Sequence, residues 1–384
     1  MHDLGFRTSA IGLFGLATLP YSLKLLWAPL VDRYSLPFLG RRRGWLLISQ
    51  TFVTLSIVAL ALSPSPASFP FLFFLLTLLL TSTSATQDIV VDAYRAEILR
   101  KNELGPGASL GVIGYQAGLL VSGAVALFLA DRFQFDVGAR WRFVYLLMAA
   151  ISVIGILTTI ASKEPRLDLT PPRTLREAVV LPFTEFFRMK GSVELFFFIF
   201  LYKLGLVLVS ALATPFLLSL AFTKTDLAAI NKGWGLIATI LGTALGGVLV
   251  SRLRLFGSLL VFGILQTLAI LPFVLLAHFG HNYVLLIIAI TCVALFGGMA
   301  TAAYIAFLMS ICDIRVTATQ YAFFTSLLAL SRTLIKSPSG YLSQMVGWEG
   351  YFWIAIVASV PGLVLLVVRH HLWNWEDQKF KAAG

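Results

Sequence analysis

The chain has 384 residues, 58% hydrophobic and only 12% charged, with a formal net charge of +11. A soluble domain carries about 25% charged residues, so this composition, with a mean hydropathy of +0.88, excludes a soluble globular protein. The positive balance is read as a topology signal rather than a nucleic-acid surface, because basic residues collect on the cytoplasmic side of membrane proteins.

Eleven apolar stretches follow one another, at about 7–31, 43–63, 69–92, 107–130, 141–161, 193–220, 226–250, 256–277, 282–311, 317–346 and 350–369. They reach the ~20 residues a helix needs to cross ~30 Å of hydrocarbon, and they lack the ~10-residue alternation of barrel strands. The chain is therefore predicted to be an all-α membrane protein with about 11 transmembrane helices. The first stretch follows Met1-His2-Asp3 instead of a basic run, and no small-residue cleavage site stands out after it. It is expected to be a span and not a cleaved signal. Cys292 and Cys312 lie on one predicted helix, too far apart to pair within it.

Charge sets the orientation. Arg33, Arg41, Arg42, Arg43, Arg95, Arg100, Lys101, the basic residues of 163–190, Arg252, Arg254, Arg315, Arg369, Lys379 and Lys381 fall on one side. The other side holds Arg7, Arg132, Arg140, Arg142 and Lys224. The first side is cytoplasmic by the positive-inside rule, which puts the C-terminus inside and the N-terminus outside. The longest loop, KEPRLDLTPPRTLREAVVLPFTEFFRMK (163–190), reads as a linker between bundles 1–162 and 191–384. Within it TLREAVVLPFTEFF is either a short amphipathic helix on the membrane surface or a plain solvated linker.

The two halves resemble each other. PLVDR (29–33) matches VLVSR (248–252), ISQ (48–50) matches ILQ (264–266), and RWRFVYLLMAA (140–150) parallels EGYFWIAIVAS (349–359). An internal repeat of this kind marks a transporter built from two related bundles. The second bundle holds six predicted spans and the first five.

PLVDRYSLPFLGRRRGW (29–45) resembles the loop motif of the major facilitator superfamily. QDIVVDAYR (87–95), GYQAGLLVSG (114–123), LYKLG (201–205), INKGWGLIATILG (230–242) and ATQYA (318–322), in this order, resemble the AmpG muropeptide permeases of Gram-negative bacteria. The resemblance runs over essentially the whole chain. It implies a two-bundle major facilitator fold (family helices 2–12, with the family's first helix ahead of residue 1). It also implies proton-driven import of anhydro-muropeptides from periplasm to cytoplasm, for peptidoglycan recycling across the bacterial inner membrane. It implies no cofactor beyond the proton gradient. Where that family tends to carry an acid directly after LYKLG, this chain has Leu206.

An ionisable residue inside a span usually faces a cavity or a partner. If the third span starts near Phe69, Asp88 lies about 28 Å down it at 1.5 Å per residue, near its inner end. Asp92 is one turn further. Asp88 is assigned either to proton coupling or to a cytoplasmic latch. By resemblance the latch consists of Asp32, Arg33, Arg41, Arg42, Arg43 and Asp92, with Asp92 pairing to the arginine run. Lys203 sits about 15 Å deep, with Tyr202 beside it, on a helix that by resemblance lines the cavity. A lysine there can hold a substrate carboxylate. Lys24 either faces the cavity or snorkels inward. Lys232, Asn231, Arg332 and Lys336 lie in outer halves of their spans. Together these cations favour an anionic substrate. Tyr115 and Gln116 are candidates for sugar contact, with Trp234 and Tyr304 as further options, though each aromatic suits core or lipid contact as well. Gly114 with Gly118, and Gly242 with Gly246, form two GxxxG pairs that permit close helix approach.

His278 and His281 flank an outer loop without an acid nearby in sequence, so no metal site is expected, and a membrane-embedded enzyme is disfavoured. The expected partners are membrane lipid and a small anionic glycopeptide, with no nucleic acid and a monomeric chain. A carrier of another organic anion (acyl-CoA-like), a drug exporter, and a truncated inactive permease stay open as alternatives.

Overall fold

The computed structural model describes residues 15–36, 39–64, 68–132, 136–165 and 172–369. Among them there is no β-strand. Arg7, Lys379 and Lys381, and the first residues of the predicted opening span, lie outside the described residues.

Residues 15–33 form short pieces instead of one continuous helix. Two 3-10 turns alternate with α1 (Leu19–Leu23) and α2 (Ala28–Arg33). Pro20 and Pro29 stand at the second position of α1 and α2, within the first turn, where the N–H has no intrahelical partner to lose. Then follow α3 (Arg41–Leu62), α4 (Pro70–Ile98), α5 (Leu104–Leu119), a π segment (Leu120–Val125) and α6 (Ala126–Arg132). Next come α7 (Val137–Ala161), α8 (Leu175–Arg188), α9 (Ser192–Leu201) and α10 (Leu204–Ser219). A second π segment (Leu227–Trp234) leads into α11 (Gly235–Leu268), followed by α12 (Leu271–Phe279), α13 (Tyr283–Ser310) and α14 (Thr317–Arg369).

Local chemistry starts these helices. Asp136 accepts hydrogen bonds from the amides of Gly138 and Ala139 at the head of α7, and Asn282 does the same for Val284 and Leu285 at the head of α13. Thr223 and Asp226 cap each other's backbone ahead of the second π segment.

Among the described residues, eight helical segments are long and apolar enough to cross a membrane. Two of them, Lys224–Phe279 and Thr317–Arg369, run to 56 and 53 residues. That is more than twice what one crossing needs. Each breaks where the backbone leaves the helical region, at Arg254 (φ 60°) and Gly347 (φ 71°). Glycine takes that conformation without strain, whereas Arg254 does so at some cost. Each long segment therefore holds two crossings, and the breaks fall in the gaps 250–256 and 346–350 between predicted spans.

The chain divides into two compact units: one holds Met1–Ile98, Ala117–Pro182 and Asp313–Phe323, the other Leu99–Gln116, Phe183–Cys312 and Phe324–Gly384. The first unit's core includes Ala28, Val31, Leu46, Ile89, Val90, Ala93, Ala318 and Ala322. The second centres on Phe216, Phe273, Tyr351 and Phe352. Small residues in the first core let helices approach closely, while tilted and edge-to-face aromatics fill the second. Large apolar side chains such as Leu119, Phe128, Leu157, Leu241 and Val357 point outward, as a protein solvated by lipid requires.

Inside the second unit, glycines set the closest approaches. A Cβ on Gly242 would meet the Leu295 carbonyl oxygen at 2.0 Å, and one on Gly246 would meet the Met299 Cα at 2.6 Å. The predicted partner pair behaves otherwise. Gly114 and Gly118 have open space where a Cβ would go. The first part of α5 instead meets α11 through Gly105, Ser109 and Gly247, with Ser109 donating to the Thr243 carbonyl at 2.7 Å. The GxxxG reading of α5 is thus corrected: the close approach falls nearer the helix start, where α5 is buried, and not at its exposed middle.

Candidate functional site

Two groups of buried charge stand out, one in each unit. The first is built around Asp32, the last acid of α2, which is fully buried. Arg41 and Arg42, at the head of α3, donate to its Oδ1 at 3.1 and 2.8 Å. Its two oxygens also accept from the amides of Ala318 and Thr319 at 3.2 and 2.8 Å, and from the Thr319 hydroxyl at 2.7 Å. Those amides belong to the first turn of α14, which starts at Thr317. A helix N-terminus carries orphan N–H groups and a partial positive charge, so a carboxylate there is stabilised twice over.

Arg42 is itself fully buried and also pairs with both oxygens of Glu97 on α4. One guanidinium thus joins two carboxylates in a site without water access, which only full hydrogen bonding makes tolerable. Arg41 reaches on to the Arg315 carbonyl at 3.0 Å. Glu164 accepts from the backbone amides of Arg42 and Arg43 at 2.7 and 3.0 Å, capping α3 from a remote part of the chain. Arg43 donates to the carbonyls of Thr159 and Ile160 at the end of α7. Arg33 lies 5.4 Å from the ring centre of Tyr34.

Asp92 does not join the arginine run. It pairs with Arg95, one turn on along the same helix. The expected pairing is corrected for a geometric reason: Arg42 is taken up by Asp32, Glu97 and the Val31 carbonyl, Arg41 by Asp32 and the Arg315 carbonyl, and Arg43 by carbonyls at the end of α7. Asp88 is half-exposed and pairs with the buried Lys24 at 2.5 Å. This overturns the snorkelling alternative for Lys24. The pair belongs to a row of contacts between residues 17–27 and α4. Tyr21 bonds Ser84 at 2.6 Å, Trp27 donates to Thr86 at 3.1 Å, and Thr81 donates to the Ala17 carbonyl.

The second group surrounds Lys203, which lies at the break between α9 and α10 and is 9% exposed. Its Nζ donates to the Gly297 carbonyl at 3.2 Å and to the Thr301 hydroxyl at 2.7 Å. Among the described residues no carboxylate forms an ion pair with it. Tyr202 is buried, stacks on Tyr304 with ring centres 5.4 Å apart, and donates to the Leu259 carbonyl. Gln266 donates to the Tyr202 carbonyl at 2.9 Å, and the Tyr304 hydroxyl to that of Ile199 at 2.7 Å. Gln50, its counterpart in the first half of the repeat, is buried too and accepts from Thr159 at 2.8 Å.

The remaining predicted residues sit apart from this clamp. Tyr115 is exposed, Gln116 and Asn231 are partly buried, and Lys232, Arg332 and Lys336 are exposed. Asn231 and Lys232 fall within the second π segment, and the GYQAGLLVSG motif runs into the first. Such segments recur at functional sites. Trp234 donates to Thr291 at 2.8 Å. His278 faces Glu349 at 3.3 Å, so an acid absent from its neighbourhood in sequence is supplied in space. An apolar groove of about 740 Å³ in the first unit is lined by Leu16, Leu23, Trp27, Trp45, Phe74 and Thr86 among others, without a charged side chain.

Residues 1–335 match the family model of the Major Facilitator Superfamily. A relative in Escherichia coli K12, the anhydromuropeptide permease, is 38% identical over 359 residues, covering 93% of this chain and 72% of that protein. A Rickettsia conorii protein named as transporter AmpG 4 is 32% identical, with 96% and 89% covered. The chain belongs to the major facilitator superfamily, in its anhydromuropeptide permease branch. Its structure matches that of the major facilitator transporter FucP, solved in the outward conformation, with a TM-score of 0.71 at 12% identity, over 95% of this chain and 91% of the other. At that identity the match speaks for the fold alone. It is thus a multi-pass membrane protein of the major facilitator fold.

Sequence reasoning about this major facilitator chain missed Glu97, Glu164 and Thr319. Glu97 had a signal, since QDIVVDAYRAE continues the acidic pattern beyond Asp92. Glu164 and Thr319 had none that a linear reading shows, because their partners lie more than a hundred residues away.

Proposed function

We propose that this chain is a permease of the bacterial inner membrane that imports anhydro-muropeptides into the cytoplasm for peptidoglycan recycling, driven by the proton gradient. The carrying observation is the 38% identity to the Escherichia coli permease over 93% of the chain. The buried and exposed cations of the second unit support it, because muropeptides carry free peptide carboxylates. The permease acts without a cofactor, as a monomer in lipid, with its C-terminus inside.

In this reading, the first-unit network of Asp32, Arg41, Arg42 and Glu97 is the cytoplasmic latch, and Arg33, Arg43 and Asp92 border it. Asp88, paired with Lys24, carries the proton. Lys203, with Tyr202, Asn231, Lys232 and Arg332, forms the substrate side, and Tyr115 and Gln116 contact sugar. Bundles 1–162 and 191–384, joined by the linker 163–190, are the moving bodies. Expression in cells lacking their own permease should restore uptake of radiolabelled anhydro-muropeptide to well above the empty-vector level. Uptake no higher than that of the empty vector, with the protein present in the membrane, would overturn the reading.

A further inference from the structure

Lys203 is held more firmly than a lysine with only a packing role requires. Neighbouring helices fix the helix break that carries it. Gln266 of α11 binds the Tyr202 carbonyl, and Tyr304 of α13 binds that of Ile199. A Cβ on Gly362 of α14 would meet the Tyr202 backbone at 3.1 Å. The Nζ has two neutral acceptors, Gly297 O and Thr301 Oγ1. They take both N–H donors of a neutral amine, and protonation to an ammonium adds a third that neither acceptor uses.

The charged and titratable neighbours are Tyr202 on its own strand of chain, Tyr304 on α13 and Arg332 on α14. Among the described residues of this unit Glu349 pairs with His278, and Glu194 with Arg369. Neither is bonded to Lys203. The position one turn on, where an i, i+3 acid would reach it, is Leu206, whose Cδ1 lies 3.2 Å from where a Cβ on Gly297 would stand. A buried ammonium without a counter-charge is costly until an anion joins it.

We infer that Lys203 couples charge to cargo: the neutral amine takes up one proton as a carboxylate of the transported molecule arrives, and the third N–H of the ammonium so formed donates to that carboxylate. This rests on the proposed muropeptide reading and deepens it. The step balances as amine plus proton plus carboxylate giving an ammonium–carboxylate pair, and it reverses on release to the cytoplasm. It is separate from Asp88, which would carry its proton whether or not cargo is bound.

Calorimetry on the purified full-length protein tests this, using a tetrapeptide-bearing anhydro-muropeptide in buffers of different ionisation enthalpy between pH 6 and 8. About one proton should be taken up per ligand bound, with affinity falling about tenfold per pH unit where the proton must be supplied. Lys203→Gln should bind at least about tenfold more weakly, without proton uptake. Leu206→Asp, which offers an internal acid instead, should lose both in the same way. Amidating the ligand's carboxylates should remove the uptake from wild-type protein, an arm that needs no variant.

Wild-type binding without proton uptake would overturn the inference while leaving the muropeptide reading intact. So would uptake that survives Lys203→Gln or ligand amidation. Wild-type protein that binds no muropeptide would overturn both.

Discussion

Arg42 shows what a single side chain can hold together. It is fully buried between Asp32 and Glu97, and its NH1 also donates to the Val31 carbonyl at 3.2 Å. Replacing it leaves two carboxylates buried without their partner. Arg42→Met should therefore destabilise the protein by about 3–5 kcal/mol, read as a loss of thermal stability in detergent. Arg43, whose guanidinium bonds only carbonyl oxygens at the end of α7, should cost about 1 kcal/mol or less on the same substitution. Equal losses for the two would contradict the network. The sequence showed three adjacent arginines and could not rank them. The ranking comes from where Asp32 and Glu97 are carried by α2 and α4.

At the scale of the helix, the glycines make the sharpest distinction. Gly242 lies against the backbone of Leu295, and no side chain can yield there. Gly242→Ala should cost about 1–3 kcal/mol through overpacking. Gly114→Ala meets open space and should be neutral, or stabilising by up to about 1 kcal/mol from helix propensity. Unfolding both variants side by side in one detergent checks this, and a larger loss for Gly114→Ala would refute the packing described. Both pairs look alike as GxxxG in the sequence, because a spacing records which helix face is small but not what that face meets. The helix ends were more legible. Asp136 and Asn282 stand just ahead of apolar runs and cap α7 and α13, and glycine at 347 turns the chain between two crossings.

For the whole molecule, the Lys24–Asp88 pair links the broken segment 15–33 to α4 within the first unit. If Asp88 carries the proton, Asp88→Asn should abolish accumulation of anhydro-muropeptide against a gradient while leaving counterflow within about twofold of wild type. Both are measured on the same vesicles. A parallel fall in the two modes would mean that Asp88 only supports the fold, and normal accumulation would move the coupling elsewhere.

Composition and spacing determined the class, since apolar runs of ~20 residues admit no other structure in a bilayer than a helix whose backbone bonds to itself. They also marked ten crossings that the described residues contain, and the motifs pointed to the right family, because residues adjacent in sequence stay adjacent on a helix. What only the tertiary structure decided is which charges meet. Asp32 finds the head of α14 nearly three hundred residues away, Glu164 caps α3, and Asp92 turns to Arg95 and leaves the arginine run to others. Lys203 acquires no acid at all among the described residues. Pairing energy in a medium of low dielectric depends on distance and on the hydrogen bonds each charge has already made. A sequence carries neither quantity until the helices have packed.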